Sequence, residues 1–436
     1  MLRSDDLATL TLVEAGHRLR SGALTAVALT EACLSRIAAL DARLHAFVTV
    51  TAEWALASAA LLDRELAAGR DRGPLHGIPI SLKDLIDQAG VATTAGSRVP
   101  AARAAESDAT VTARLKAAGA VLVGKTNLHE FACGTTGEDT AFGAVHHPLD
   151  DSRSAGGSSS GSAVAVATGM SLASIGTDTG GSVRIPSAAC GLVGLKPVTG
   201  EVPVDGVVPL SRTLDHVGPI GRSVADVAAV FNALTRTSLR PPAPVAASTL
   251  RLGRVRGYAE ARLEPAVREG YERAIDALRA AGVTFVDRQL PHADLMAAIY
   301  LHIMLPEAAA YHAATLERCP ERYTPPVRLR LEMGRYVLAE DYLRALAGRD
   351  VVRADVDGAL SGVDALVLPT LPIVAPPLGA ETVPIDGISE PVRAMMLRLT
   401  QPFNLSGHPA IALPVGSSPH GLPVSLQVVA NRTPSD

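Results

Sequence analysis

Several features that define whole classes of proteins are absent from this sequence of 436 residues. Its formal net charge is only −4 and it contains no run of Lys or Arg, which argues against a nucleic-acid-binding face. The first twelve residues mix Arg3 with Asp5 and Asp6 and lack the apolar core of a signal peptide. No stretch reaches the uninterrupted apolar length of a membrane span. We therefore predict a soluble cytoplasmic protein with no membrane and no nucleic-acid partner.

Cysteine is also scarce, because only Cys33, Cys133, Cys190 and Cys319 are present. They show neither CxxC nor Cys/His ligand spacing, so neither a disulfide framework nor a zinc site is indicated. The histidines at 129, 146 and 147 have no further ligand at a suitable spacing. We expect no metal, a loop or core role for these histidines, and a core role for Cys190.

The sequence alternates between helical and strand patterns. Residues 7–68 are rich in Ala and Leu, with apolar positions at steps of three and four: Ala26, Leu29, Cys33, Ile37 and Leu40. Helices are predicted over residues 108–118 and 266–281, and each ends at a glycine that precedes an apolar strand. Further strands are predicted over 78–82 and 364–369. These strands lack alternation of polarity, which indicates an α/β sheet covered on both faces.

No internal repeat divides the chain. We predict a single domain over residues 1–436, with an N-terminal helical segment at 1–70. Residues from about 231 to 360 are richer in Arg and Pro and contain all seven Tyr. This composition indicates a variable region that packs against the sheet rather than an independent domain. We also expect this region to shape the substrate pocket.

The segment GAVLVGKT, residues 119–126, matches the Walker A pattern of nucleotide-binding proteins. A phosphate-binding loop follows a strand, and its backbone N–H groups cradle the phosphate. In this sequence a helix precedes the first glycine, and Ala-Val-Leu-Val is itself a strand pattern. We therefore expect no ATP binding.

Two loops dense in Gly and Ser lie within residues 154–186, SAGGSSSGSAVAVATGMSLASIGTDTGGSVRIP. The segment between them, 163–175, is mostly apolar, whereas flexible Gly/Ser linkers stay solvated throughout. Glycine clusters occur where the backbone needs unusual torsions or approaches a ligand closely. Because serine within each cluster adds a potential nucleophile, the segment predicts an active site.

A nucleophilic hydrolase needs a nucleophile, a base and donors aimed at the developing oxyanion. The loops are GGSSSG at 156–161 and GGS at 180–182, and neither has the G-x-S-x-G elbow of Ser-His-Asp hydrolases. The alternative is a buried, neutral lysine as the base. Lys83, which follows the strand-like ISL, is the best candidate because burial lowers the pKa of a lysine by several units.

The motifs SLKD, GKTNLHEFACG, GGSSSGSAVAVA and GTDTGGSVRIP, in this order, resemble the amidase signature family. The resemblance extends through CGLVGLKPVTG, LDHVGPIGRSVADVA and PFNLSGHPAIALP to GLPVSLQVVA, densely over residues 60–230 and more thinly over 360–430. It implies one domain, a three-layer α/β/α sandwich around a large mixed sheet, and an amidohydrolase without cofactor or metal. The chain ends at NRTPSD, where family members usually continue into another helix, and we expect this end to affect stability more than chemistry.

By motif position, the resemblance implies that Ser182 is the nucleophile, Lys83 the base and Ser158 the proton relay between them. The family's cis peptide bond would fall between Gly157 and Ser158 and aim the Ser158 hydroxyl between the other two groups. The separations of 24 residues (182 − 158) and 75 residues (158 − 83) match the family. The oxyanion hole is expected from the backbone amides of Thr179, Gly180, Gly181 and Ser182.

We expect other residues of these motifs to support the site. Ser159 and Ser160 are alternatives to the relay serine, although the spacing favours the first serine of the three. Asp178 is expected to pair with Arg184 or cap the loop, and so to hold the oxyanion turn in shape. The resemblance also implies a substrate-binding pocket wall formed by Cys133, Gly134 and Thr135.

We expect an amidase that hydrolyses a linear carboxamide C–N bond through a serine acyl-enzyme, giving a carboxylate plus ammonia or an amine. We leave open whether the enzyme also acts on esters or carbamates and whether it forms a homodimer. The molecule that such an enzyme binds is a small-molecule amide substrate. The alternative is the amidase (glutaminase) subunit of a tRNA-dependent amidotransferase complex, which shares these motifs. A non-catalytic binding protein is disfavoured because Lys83, Ser158 and Ser182 are all intact.

Overall fold

The computed structural model of the protein describes residues 7–99, 104–237 and 245–432. Its α-helices in chain order are α1 Leu12–Arg20, α2 Ala26–Leu44, α3 Ala52–Ala67, α4 Thr110–Ala117, α5 Ser160–Ala167, α6 Arg184–Ala189, α7 Val224–Thr235, α8 Pro265–Ala280, α9 Met296–Arg318, α10 Pro325–Gly334, α11 Ala339–Leu360, α12 Val392–Arg398 and α13 Pro402–Ser406. Its strands are β1 Phe47–Val50, β2 Pro79–Lys83, β3 Val121–Thr126, β4 His146–His147, β5 Asp150–Ser154, β6 Ala173–Asp178, β7 Val193–Lys196, β8 His216–Gly221, β9 Arg251–Val255, β10 Thr284–Arg288, β11 Ala365–Pro369, β12 Thr382–Ile385, β13 Ile388–Pro391, β14 Ala410–Ser417 and β15 Pro423–Val429.

Eleven strands form one mixed sheet in the order β1-β3-β2-β6-β8-β7-β14-β15-β11-β9-β10. The group β3-β2-β6 is parallel, and so is the group β11-β9-β10. Antiparallel pairs connect the two groups through the middle of the sheet. Every residue of β2, β3 and β6 is buried. Because successive side chains of a strand point to opposite faces, both faces of the sheet are covered, and the predicted α/β class is confirmed.

Most elements predicted from the sequence are present within two residues of their expected bounds. Helix α8 shows why: Val267, Tyr271 and Ile275 are buried at a spacing of four, and Pro265 occupies the first turn. Residues 119–126 lead from a helix into the buried strand β3, as expected for a strand and not for a phosphate-binding loop. Strand β1 was not predicted, because FVTV is too short to stand out from the helical pattern around it.

The region around 231–360 supplies β9 and β10, which complete one end of the sheet, and α8 to α11. Residues 293–318 have the length and mean hydropathy of a membrane-spanning helix, yet half of their apolar window is buried inside the protein. Glu307, within this helix, accepts hydrogen bonds from the hydroxyls of Ser211 (2.6 Å) and Tyr342 (2.9 Å). These contacts are those of a core helix. A role of the region in substrate choice stays a prediction.

Candidate active site

Lys83 is the last residue of β2 and is fully buried. Its Nζ lies 2.7 Å from Oγ of Ser158 and also donates to Oγ1 of Thr177 at 2.7 Å. Thr177 lies near the carboxyl end of β6, the parallel neighbour of β2, so the two strands end at the same edge of the sheet. The sequence analysis did not select Thr177, because nothing in the motif order shows that β2 and β6 are adjacent.

Burial lowers the pKa of the Lys83 amine to about 7, although the negative charges of Asp178 and Asp215 oppose this shift. The physical cause is desolvation, which disfavours the charged ammonium. A lysine with a pKa near neutrality is present partly as the free amine at physiological pH, and can then accept a proton.

Ser158 precedes helix α5, and the peptide bond between Gly157 and Ser158 is cis, as the resemblance implied. Its carbonyl oxygen accepts a hydrogen bond from the backbone N–H of His129 (3.2 Å). Of the alternatives, Ser159 instead donates its hydroxyl to the carbonyl oxygen of Thr177 (3.2 Å). The hydroxyl that contacts Lys83 is therefore that of Ser158.

Ser182 lies in the loop between β6 and α6, and only 4% of its surface is exposed. Its carbonyl oxygen accepts the backbone N–H of Ser159 at 3.3 Å, which joins the two Gly/Ser-rich loops directly. Gly181 has a φ of 142°, a conformation that favours glycine. The structure therefore brings both predicted serine loops and Lys83 to one edge of the sheet.

A buried ion pair holds the ends of this loop together. The Arg184 guanidinium donates to the Asp178 carboxylate through Nε (3.1 Å) and Nη2 (3.0 Å), and both residues are fully buried. Burial alone would raise the pKa of Asp178, but Arg184 and an amide hydrogen bond from Asn404 outweigh it and hold that pKa well below its ordinary value. The expected Asp178–Arg184 pair is confirmed.

The same loop is anchored to segments far along the chain. Thr400 donates its hydroxyl to the carbonyl oxygen of Gly180 (2.6 Å). The Arg184 guanidinium donates to Asn404 (2.7 Å), to Gln427 (3.2 Å) and to the Thr400 carbonyl (2.9 Å). Asn404 and Gln427 come from motifs that the sequence analysis quoted without giving them a role, and Thr400 lies two residues before the first of these motifs.

A second acid also supports this loop. Thr179 donates its hydroxyl to Asp215 at 2.5 Å, and Asp215 also accepts the backbone N–H groups of Leu210 and Ser211. Burial raises the pKa of Asp215 to about 6, although these donors oppose the rise. Asp215 belongs to LDHVGP, where the sequence alone gave no sign of its contact with Thr179.

The predicted pocket wall lies next to Ser158. A Cβ built on Gly157 would lie 3.0 Å from the backbone carbon of Thr135, so a larger residue there would press against the backbone of this wall. A Cβ on Gly134 would lie 2.0 Å from Nε2 of His129, which itself pairs with Asp139 at 3.2 Å. Cys133 is buried, and its carbonyl oxygen accepts a hydrogen bond from Nη1 of Arg330 (2.8 Å).

A cavity of about 340 Å³ adjoins this edge of the sheet. Thr177, Thr179 and Asp215 line it on the side of the loops, and Leu85, Val208 and Leu210 are among its apolar residues. The cavity gives an organic molecule space beside the candidate catalytic groups.

The remaining residues that the sequence analysis singled out have structural contacts. His147 Nε2 hydrogen-bonds to the Ala189 carbonyl oxygen (2.9 Å), and His146 Nδ1 to that of Asp151 (2.6 Å). Cys190 is buried, and burial raises the pKa of its thiol far above the ordinary value, so it is not activated as a nucleophile.

The fold and these loops define an amide-cleaving α/β enzyme, and comparison with known proteins gives its family. The chain matches the family described as Amidase over residues 28–434 and belongs to it. It is 40% identical to a glutamyl-tRNA(Gln) amidotransferase subunit of Chloroflexus aggregans, over 97% of this chain and 93% of the relative.

Two solved structures extend the comparison. A crystal structure of an amidase is 41% identical, with a TM-score of 0.92 over 97% of this chain and 96% of that one. A glutamyl-tRNA(Gln) amidotransferase subunit of Thermotoga maritima is 31% identical, with a TM-score of 0.78 over 98% and 92%. The chain is therefore a hydrolytic, amide-cleaving enzyme, as the sequence predicted.

Proposed function

We propose that Ser182 attacks the carbonyl carbon of a carboxamide while Ser158 carries the proton between Ser182 and neutral Lys83. The observation that carries this proposal is the 2.7 Å contact between Lys83 Nζ and Ser158 Oγ, since proton transfer needs groups within hydrogen-bond reach. As Ser182 attacks, its proton passes to Ser158, whose own proton passes to Lys83. The reverse path protonates the leaving nitrogen, and water then hydrolyses the acyl-enzyme.

In this mechanism the backbone amides of the loop from Thr179 to Ser182 donate to the oxyanion. Each such donor is typically worth about two to three orders of magnitude in rate, provided that it is held in place before the reaction. The hydrogen bonds from Thr400 to the loop carbonyl and from Thr179 to Asp215 supply that rigidity. The wall formed by Cys133, Gly134 and Thr135 contacts the substrate without taking part in the chemistry.

For the biological substrate we propose glutamine, with the chain acting as the amidase subunit of a tRNA-dependent amidotransferase in the cytoplasm. Support comes from relatives that carry this subunit's name at 37–40% identity over 96–99% of this chain. We therefore favour the alternative given in the sequence analysis, an amidotransferase subunit, over a free-standing amidase. In this proposal the partners of the chain are other subunits and tRNA as well as the small-molecule amide, whereas the sequence analysis predicted no nucleic-acid partner.

A free-standing amidase is the second candidate. The amidase crystal structure favours it, with 41% identity and a TM-score of 0.92 against 0.78 for the Thermotoga protein. The hydrolytic chemistry is the same in both cases, so only the substrate and the need for partners differ.

The test measures ammonia released from glutamine by the purified chain, alone and with the partner subunits of a tRNA-dependent amidotransferase and glutamyl-tRNA. We expect weak glutaminase activity alone and a strong rise in the complex. Glutaminase activity that partners do not change, together with rapid cleavage of aryl, alkyl or amino-acid amides by the chain alone, would favour the second candidate.

A further inference from the structure

A second cavity, with a volume of about 600 Å³, lies beside the one that adjoins the candidate catalytic groups. We call it the Asp87 cavity after an acid in its wall, and we call the other the catalytic cavity. Among the described residues, Val208 alone lines both cavities. Phe131 lines the Asp87 cavity and the next residue, Ala132, lines the catalytic one, so the chain at 131–132 separates two compartments. The volume is within the usual range for small-molecule sites.

The wall of the Asp87 cavity is acidic. Asp87 and Glu106 line it, and none of its described lining residues is a Lys or Arg. Asp87 is half-buried and accepts the hydroxyl of Thr93 at 2.7 Å, but within the described ranges its carboxylate makes no ion pair. The buried ammonium of Lys125, which also donates to Thr93, is neutralised by Asp84 at 2.8 Å instead. The charge of Asp87 is therefore left for a ligand.

A buried imidazole in the same wall has a ring nitrogen without a partner. His312 lines the cavity and is only 2% exposed. Its Nδ1 hydrogen-bonds to Oη of Tyr323 (3.0 Å), whereas its Nε2 has no hydrogen-bond partner. Burial lowers the pKa of His312 to about 4, so the ring is neutral at physiological pH and Nε2 can accept a hydrogen bond. An unpaired buried nitrogen beside a cavity is explained by a ligand that donates to it.

Aromatic rings complete the lining. Phe131 and Tyr311 both line the cavity, and each packs edge to face with His312, with ring centroids 4.3 and 4.9 Å apart. Ala95 and Val99 add aliphatic surface. The face of an aromatic ring attracts a cation, and apolar surface favours burial of a hydrocarbon group. These features together fit a ligand with a positive charge on an apolar body.

We infer that the Asp87 cavity is a second binding site, and that its ligand is a protonated primary amine on a short alkyl or aryl body. The ammonium group donates hydrogen bonds only, and the Asp87 carboxylate and His312 Nε2 are acceptors for it. The wall is fixed before a ligand arrives, because Thr94 donates its backbone N–H (3.0 Å) and its hydroxyl (2.5 Å) to Asp84. The inference goes beyond the proposed function, because binding here does not require attack by Ser182.

The probes for the test are matched pairs that differ in charge. Butylammonium and benzylammonium are compared with 1-butanol and benzyl alcohol, in which a neutral hydroxyl replaces the ammonium group. Their binding is measured by calorimetry at neutral pH on wild type and on Ser182→Ala protein. We expect both proteins to bind at least one ammonium ion more tightly than its alcohol, and with equal affinity, because the nucleophile lies outside this cavity.

The variants locate the site. Asp87→Asn keeps an acceptor for the Thr93 hydroxyl but removes the charge, and should weaken ammonium binding about 10- to 100-fold. Tyr311→Leu removes one aromatic face and should weaken it about twofold to fivefold. The matched control is Asp205→Asn, the same change in an acid that lines the catalytic cavity. This control should leave ammonium binding unchanged.

Equal affinities for the ammonium ions and the alcohols, or no measurable binding of either ammonium ion, would overturn the inference while the hydrolytic mechanism stands. Ammonium binding that Asp205→Asn weakens and Asp87→Asn leaves unchanged would also overturn it, because the amine would then lie in the catalytic cavity. If Asp87→Asn does not fold, Tyr311→Leu decides, since Tyr311 is 45% exposed and its replacement disturbs little packing. Unchanged ammonium affinity in that variant would then reject the site.

Discussion

At the scale of single residues, the burial of Lys83 dominates the chemistry that we propose. A lysine must lose its proton before it can act as a base, so the activity of the free enzyme should rise as the pH passes through the pKa of about 7 and level off above it. We expect kcat/KM for an amide to follow this single rise between about pH 6 and 8. A flat profile across this range would contradict the assignment.

Substitution of Lys83 tests the same role on two substrates. Lys83→Ala should severely reduce amide cleavage and reduce cleavage of a matched activated ester less, because the ester's leaving group needs less protonation. Lys83→Arg should not restore activity, since arginine stays protonated in proteins. An active Lys83→Arg enzyme with an unchanged pH profile would mean that this residue is only a structural cation.

Ser182 gives the most direct prediction at this scale. Ser182→Ala removes the attacking oxygen but little volume, so we expect turnover to fall by several orders of magnitude while the fold is retained. An electrophilic serine reagent followed by peptide mass spectrometry should label Ser182 in wild type. Labelling at another serine, with the alanine variant still active, would refute the assignment.

At the scale of elements, the loop between β6 and α6 depends on the conformation of one glycine. An added Cβ at Gly181 would lie 2.2 Å from Oγ1 of Thr400, whose hydroxyl holds the carbonyl of Gly180. Gly181→Ala should therefore displace the loop and lower kcat about 100-fold or more. Gly358→Ala is the control, since a Cβ there meets nothing within 4 Å; it should stabilise helix α11 by up to about 1 kcal/mol.

The elements also show what sequence reasoning can and cannot find. Helices such as α8 follow from local periodicity, and β2 and β3 follow from short apolar runs next to glycine or proline. The Asp178–Arg184 pair was predictable because its members are only six residues apart, at the two ends of one short loop. The contact of Lys83 with Thr177 depends on strand order across 94 residues, and no local pattern encodes that order.

At the scale of the whole molecule, Arg184 joins the two halves of the sheet. Arg184→Met would leave the Asp178 carboxylate buried and unpaired, and breaking a buried pair in this way typically costs about 3–5 kcal/mol. We expect a loss of this size in the free energy of unfolding, measured by denaturant titration. Arg344→Met, which removes an exposed pair with Asp341, should cost under about 1 kcal/mol. Equal effects of the two variants would contradict the role of Arg184.

The long-range anchors of Arg184 have a consequence for the nascent chain. Once residue 184 has left the ribosome, Lys83, Ser158 and Ser182 have all been synthesised, but Thr400, Asn404 and Gln427 follow 216, 220 and 243 residues later. Until they arrive, the loop around Ser182 lacks the contacts that fix its shape. Hydrolytic activity should therefore appear only after Gln427 has left the ribosome, which keeps a shorter nascent chain from consuming amides in the cell.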